Sequence, residues 1–126
     1  ATSQADLVLA VELREPRKHI GNVSLLRIDF RQRQAELAIL MGDRAEWGKG
    51  YAKEACLLLL RHGFGALNLR RVACATSAEN QGMQRLALAL GMREEGRRRQ
   101  ALYKDGGYLD LLEYGLLRHE FETEGG

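Results

Sequence analysis

Apolar positions in the first 41 residues recur at every second residue. Leu7, Leu9, Val11 and Leu13 alternate with other side chains across Asp6 to Glu15, the period of a strand with one buried face. Pro16, Arg17 and Lys18 interrupt the run. His19 to Phe30 then resumes it with Ile20, Val23, Leu25, Leu26, Ile28 and Phe30, so the two runs predict an antiparallel hairpin. Gly21 marks an expected bulge or close backbone approach in the second arm. A polar RQRQ connection leads to a third predicted strand at Ala35 to Met41, where Leu37, Ile39 and Met41 alternate with Glu36, Ala38 and Leu40.

The period changes after a polar loop from Gly42 to Glu46. Ala52, Ala55, Cys56, Leu59, Leu60, Gly63, Phe64 and Leu67 fall at offsets of three and four, which define a helical face. Arg70 and Arg71 precede VACATSA, small and β-branched enough for a buried central strand. Asn80 is a good N-cap for a second helix with Met83, Leu86, Ala87 and Leu90 inward and Gly91 as its stop. From Met92 to Leu117 two strands are separated by Lys104 to Gly107, whose Asp-Gly-Gly is strong turn chemistry. The order βββαβαββ predicts an α/β (α+β) layer fold in one domain over residues 1–126, with no repeat and no linker.

Composition narrows the class of function. A chain of 126 residues with 45% hydrophobic and 29% charged residues and one Pro describes a folded single domain and not a disordered segment. Its net charge of +2 names no partner. Cys56 and Cys74 have no Cys-x-x-Cys spacing and no histidine cluster, so neither a metal site nor a disulfide scaffold is expected. Apolar runs of four or five residues are far below the roughly 20 that span a bilayer. No secretory pattern opens the chain, and the cytoplasm is the expected location.

Chemistry concentrates in WGKGYAKEA, Trp47 to Ala55, where glycines lie between the third strand and the first helix. Glycines there permit tight turning and close approach of a ligand to backbone amides, and a helix N-terminus offers unpaired N–H groups to an anion such as a pyrophosphate. The same Gly-Lys-Gly start also serves ordinary loops. It matches neither the Walker pattern nor the dinucleotide fingerprint.

The whole pattern resembles the GNAT N-acetyltransferase superfamily, particularly its branch of ribosomal-protein alanine N-acetyltransferases. The superfamily's pyrophosphate loop, Gln/Arg-x-x-Gly-x-Gly/Ala, corresponds to Trp47, Gly48, Lys49, Gly50, Tyr51 and Ala52, with Trp in the first place and Glu54 and Ala55 following as in that branch. Asn80 to Gly91 and Met92 match the family's strand, Asn, helix and Gly sequence, and DGGYLDLLEYGLL resembles its final hairpin. The likeness covers about Ile20 to Leu117. It implies a mixed, mostly antiparallel central sheet flanked by helices, acetyl-CoA as cosubstrate without a metal, and direct acetyl transfer to a primary amine, either a peptide N-terminus or a small molecule. Two departures stand out. The first strand and one or two helices that usually precede the hairpin are not in this sequence, which is then a fragment, is completed by a partner or is an unusually short member. Met83 occupies a position where Ser is common.

The resemblance also assigns roles. Glu36 corresponds to a glutamate proposed as general base, because an ammonium must lose its proton before attacking a thioester; alternation alone would make Glu36 a solvated carboxylate. Backbone groups of Ile39, Leu40 and Met41 are expected to pair with the pantetheine arm as an added strand would, and Asn80 to hydrogen-bond the same arm besides capping its helix. With Met at position 83, either Tyr103 or Tyr51 is the candidate proton donor to the departing thiolate, or the thiolate, from a thiol of pKa about 8.5, leaves unassisted. An edge lacking the family's first strand leads us to expect a homodimer. Two other classes are weighed: a non-catalytic acyl-CoA-binding or sensing module, and an RNA-associated protein using Arg93, Arg97, Arg98 and Arg99. Glu94 and Glu95 offset that basic patch, and no aromatic residues interleave it, so a nucleic-acid partner is not expected.

Overall fold

The computed structural model describes residues 4–14, 17–41 and 50–123. In chain order the elements are β1 (Gln4–Arg14), β2 (Arg17–Asp29), β3 (Gln34–Met41), α1 (Tyr51–Phe64), β4 (Arg71–Ser77), α2 (Gln81–Ala89), β5 (Arg93–Lys104), β6 (Gly107–Leu117) and α3 (Arg118–Thr123). The strands form one six-stranded sheet in the order β1-β2-β3-β4-β6-β5. Every junction is antiparallel except β3 against β4. The predicted mixed, mostly antiparallel sheet is therefore present, and each predicted strand and helix is found where the periodicity put it.

Both long helices pack on one face of the sheet. Leu25, Leu37, Val72 and Leu116 meet Cys56, Leu59, Leu60 and Phe64 of α1 and Ala87 of α2 in a single core. Alternation explains the choice of face. Ala35 and Leu37 of β3 are buried beneath the helices while Glu36 between them is exposed. Asn80 caps α2 by accepting the Met83 N–H at 3.0 Å, and Gly91, at φ 91, ends it. In the β5–β6 turn Asp105 and Gly106 both take positive φ, as a two-residue hairpin turn needs.

Two departures from strict alternation shape β2. Its buried apolar residues are Ile20, Val23, Leu25 and Ile28, and the two odd spacings record two register shifts. One lies at Ile20, beside Gly21 and opposite Val11 and Glu12. The other lies at Leu26 and Arg27. Helix α3 was not foreseen, because a single apolar residue in a polar tail carries no period. Phe121 anchors it, 4% exposed, with its ring centroid 5.3 Å from that of Phe64.

Candidate active site

Strands β3 and β4 pair over three rungs only, Gln34↔Arg71, Ala35↔Val72 and Glu36↔Ala73. Beyond Glu36, β3 stays with β2 as far as Met41, and β4 stays with β6 as far as Ser77. The sheet thus divides into a fork whose inner edges, residues 37–41 and 74–77, do not pair with each other. Such edges present N–H and C=O groups to an extended amide-bearing chain. At about 3.3 Å per residue the longer edge runs roughly 16 Å.

The two parallel strands point their carboxyl ends toward the open end of the fork, and a helix starts at each. Helix α1 returns to the closed end, where Leu69 N–H bonds to Gly63 C=O at 2.9 Å and Arg70 N–H to Arg33 C=O at 2.7 Å, so its N-terminus lies at the mouth. Gly50 opens it in the left-handed region, φ 82 and ψ 2, with its carbonyl accepting Glu54 N–H at 3.0 Å. A side chain at that φ would be strained. The first turn of α2 follows the end of β4, where Gln84 Nε2 donates to the carbonyls of Ser77 at 3.3 Å and Ala78 at 3.0 Å. Two helix N-termini therefore flank the opening: that of α2 is capped by Asn80, while that of α1 has no side-chain cap, and its first N–H groups favour an anion.

The fork brings together several of the residues expected from sequence. Glu36 holds the last rung before the split, on the face away from the helices. Ile39 is half-buried against the core and Leu40 is 70% exposed, both on the free edge that ends at Met41. Asn80 stands at the mouth; its Oδ1 is engaged in the cap, and its Nδ2 has no partner among the described residues. Tyr51 and Ala52, half-buried, begin α1. Trp47, Gly48 and Lys49 lie outside the described residues.

Tyr103 is not brought to this group. It sits at the β5–β6 hairpin tip, 68% exposed, edge-on to Tyr108 at 5.3 Å. The rung of Glu36 continues through Ala73 to Gly115, and Tyr103 pairs with Tyr108. Seven residues of β6, about 23 Å of strand, separate the two levels. Met83, in the place where Ser is common, is partly buried and packs on the core.

Arg27, which the periodicity did not single out, bonds through its guanidinium to Glu36. The signal that could have found it was the switch of buried positions from odd to even between Leu25 and Ile28. Three of the four arginines of the β5 cluster are paired, but with partners other than the adjacent glutamates: Arg93 with Glu120 at 2.7 Å, Arg97 with Asp110 at 2.6 Å and Arg98 with Glu113 at 3.1 Å. Glu95 instead reaches across Gly115 to Arg71, at 2.8 and 2.5 Å.

Burial raises the Cys56 thiol to about 12, with Cys74 adding to the effect, and the Cys74 thiol to about 11. Burial thus favours the neutral thiol at both positions, which disfavours either as the nucleophile of an acyl-enzyme. Among the described residues, no group of three or more His, Cys, Asp or Glu side chains could hold a metal ion.

Residues 1–93 match the family model described as an acetyltransferase (GNAT) domain, and the chain belongs to the GNAT acetyltransferase family. It is 36% identical over 104 residues to "Putative ribosomal N-acetyltransferase YdaF" of Bacillus subtilis, covering 82% of this chain and 56% of that protein. To the uncharacterized N-acetyltransferase p20 of Bacillus licheniformis it is 31% identical over 112 residues, 89% of this chain and 62% of the relative. The chain thus spans little more than half the length of these relatives. Among solved structures, spermidine N-acetyltransferase from Vibrio cholerae in complex with CoA and spermine superposes with a TM-score of 0.86 at 27% identity, covering 94% of this chain and 69% of that one. A point mutant of the same Vibrio enzyme gives 0.87 at 26% identity, covering 97% and 71%.

Proposed function

We propose that the chain carries the site of an acetyl-CoA-dependent N-acetyltransferase that moves acetyl directly onto a primary amine. The observation that carries this reading is the fork: two unpaired strand edges that open at Glu36 and end between two helix N-termini. The pyrophosphate of acetyl-CoA would lie on the amides around Gly50, Tyr51 and Ala52, with Trp47, Gly48 and Lys49 completing the loop. The pantetheine arm would pair with Ile39, Leu40 and Met41 and receive a hydrogen bond from Asn80.

With the thioester at the closed end of the fork, Glu36 would take a proton from the ammonium, directly or through water. The freed nitrogen lone pair attacks the carbonyl carbon, the nitrogen gives its second proton to water as the tetrahedral intermediate collapses, and the carbon–sulfur bond breaks to release the amide and CoA thiolate. A thiol with pKa near 8.5 leaves as thiolate with little assistance. That suits a site where Met83 cannot donate a proton and Tyr103 stands at the hairpin tip. The buried cysteines favour this direct route over an acyl-cysteine. Reduced cysteines and an acetyl-CoA supply fit a cytoplasmic protein. The exposed Val8 and Leu9 of β1 support a homodimer, which sedimentation at micromolar concentration tests.

Isothermal calorimetry with acetyl-CoA, followed by CoA-thiol release with spermidine and with an alanine-initiated peptide, tests the function. Saturable binding and thiol release with an amine are expected. Failure to bind acetyl-CoA would refute the reading. Binding with no release from either amine would favour the acyl-CoA-sensing alternative.

A further inference from the structure

A general base needs an orientation as well as a location, and the second bulge of β2 supplies one for Glu36. Arg27 is a non-glycine residue at φ 49, a conformation that L side chains adopt only at a cost. Its strand carries extra residues against both neighbours. The pairs Ala5↔Ile28 and Leu7↔Leu25 leave Asp6 facing Leu26 and Arg27. On the other side, Leu26↔Glu36 and Asp29↔Gln34 leave Ala35 facing Arg27 and Ile28. Asp6 Oδ1 accepts the Arg27 N–H at 2.8 Å, which fixes the bulge, and the Arg27 guanidinium donates from Nη2 to Glu36 Oε2.

Stability does not account for this arrangement. The two side chains are 59% and 48% exposed, and ion pairs so exposed return little to folding. Bulges, in contrast, recur beside active sites, where they re-aim a side chain. Only Oε2 of Glu36 is engaged; Oε1 has no hydrogen-bond partner among the described residues.

We infer that Arg27, carried on the bulge that Asp6 anchors, is a positioning residue for acetyl transfer, holding Glu36 by Oε2 so that Oε1 takes the proton of the incoming ammonium. The inference rests on the role of Glu36 proposed above. In the step itself the proton passes from nitrogen to Oε1, directly or through one water, and the nitrogen lone pair forms the bond to the acetyl carbon. Arg27 neither gains nor loses a proton.

The test compares the parent with Glu36→Gln, Arg27→Gly, Arg27→Lys and the double variant Arg27→Gly/Glu36→Gln. CoA-thiol release is read with spermidine and with an alanine-initiated peptide, and acetyl-CoA affinity by calorimetry. Glycine suits the positive φ, so Arg27→Gly removes the cation while keeping the bulge. It should lower kcat about tenfold with acetyl-CoA affinity and Tm unchanged, Arg27→Lys should recover part of the loss, and the double variant should be no slower than Glu36→Gln alone. Parent-like kcat in Arg27→Gly, or a double variant slowed by the product of the two single losses, overturns the positioning role and leaves Glu36 as base. Parent-like turnover in Glu36→Gln, or no thiol release by the parent, overturns the underlying reading instead.

Discussion

The two faces of the sheet are held by different physics. On the helix side Leu25, Leu59, Leu60, Val72 and Leu116 are fully buried, and apolar area removed from water supplies the stability. On the other side the recurring contacts are ion pairs, Arg27 with Glu36, Arg71 with Glu95 and Arg98 with Glu113, all part-exposed. Ion pairs this exposed contribute little to stability. The difference teaches that folding and the proposed chemistry are separable here: one face should be alterable with little effect on stability, the other only at the cost of the fold.

The sharpest way to break that comparison is on the packed face. Leu60→Ala should lower unfolding free energy by about 2–5 kcal/mol, read from urea denaturation with an unchanged slope. A loss below about 1 kcal/mol would mean that the core is not the principal support. On the open face Glu36→Gln should reduce turnover about 10²-fold while shifting stability by less than about 1 kcal/mol. The two effects must dissociate in the same sample, and a large fall in Tm would blur the division between faces.

Smaller effects sharpen the boundary at the fork mouth. Asn80→Ala removes the cap on Met83 N–H and should cost about 1 kcal/mol; weaker acetyl-CoA binding in a still-folded variant would add the ligand role to the structural one. The smallest effect concerns acid. The hydrogen bond from Arg71 holds the Glu95 carboxyl below the usual carboxylate range, so the folded form binds its proton less readily than the unfolded chain. Its contribution is present above the unfolded value near pH 4.5 and is lost as pH falls through the lower folded value. Glu95→Gln should flatten that acid limb by under about 1 kcal/mol. Gly115→Ala should mimic it, because a Cβ there meets the Glu95 carboxylate and must displace it from Arg71.

Much of this was legible from residue order. Period-two runs place a face but not its neighbours, so β1, β2 and β3 could be read from Leu7 to Met41 while the insertion of β6 between β4 and β5 could not. Glycines and Asn80 marked the helix starts because backbone angles and capping are local. The ion pairs were not legible: Glu94 and Glu95 are adjacent in sequence to the arginines, yet pairing with β6 gives Arg97 and Arg98 the carboxylates of Asp110 and Glu113, and α3 gives Arg93 that of Glu120. Arg27 is the instructive case. Its role follows from a count, Val23, Leu25, then Ile28, in which one extra residue turns an arginine toward a carboxylate nine positions away.

Three rungs between β3 and β4 have a mechanical consequence. The sheet is two three-stranded ribbons riveted at Gln34, Ala35 and Glu36, and above the rivet its continuity depends on whatever fills the gap. An amide-bearing arm lying there would act as a strut, supplying the missing rungs and turning two ribbons into one plate. The amides of residues 37–41 and 74–77 should then exchange with solvent more slowly when acetyl-CoA is bound, while those at the rivet change little. Part of the rigidity of this sheet would thus be lent by its cosubstrate and surrendered each time the spent CoA departs.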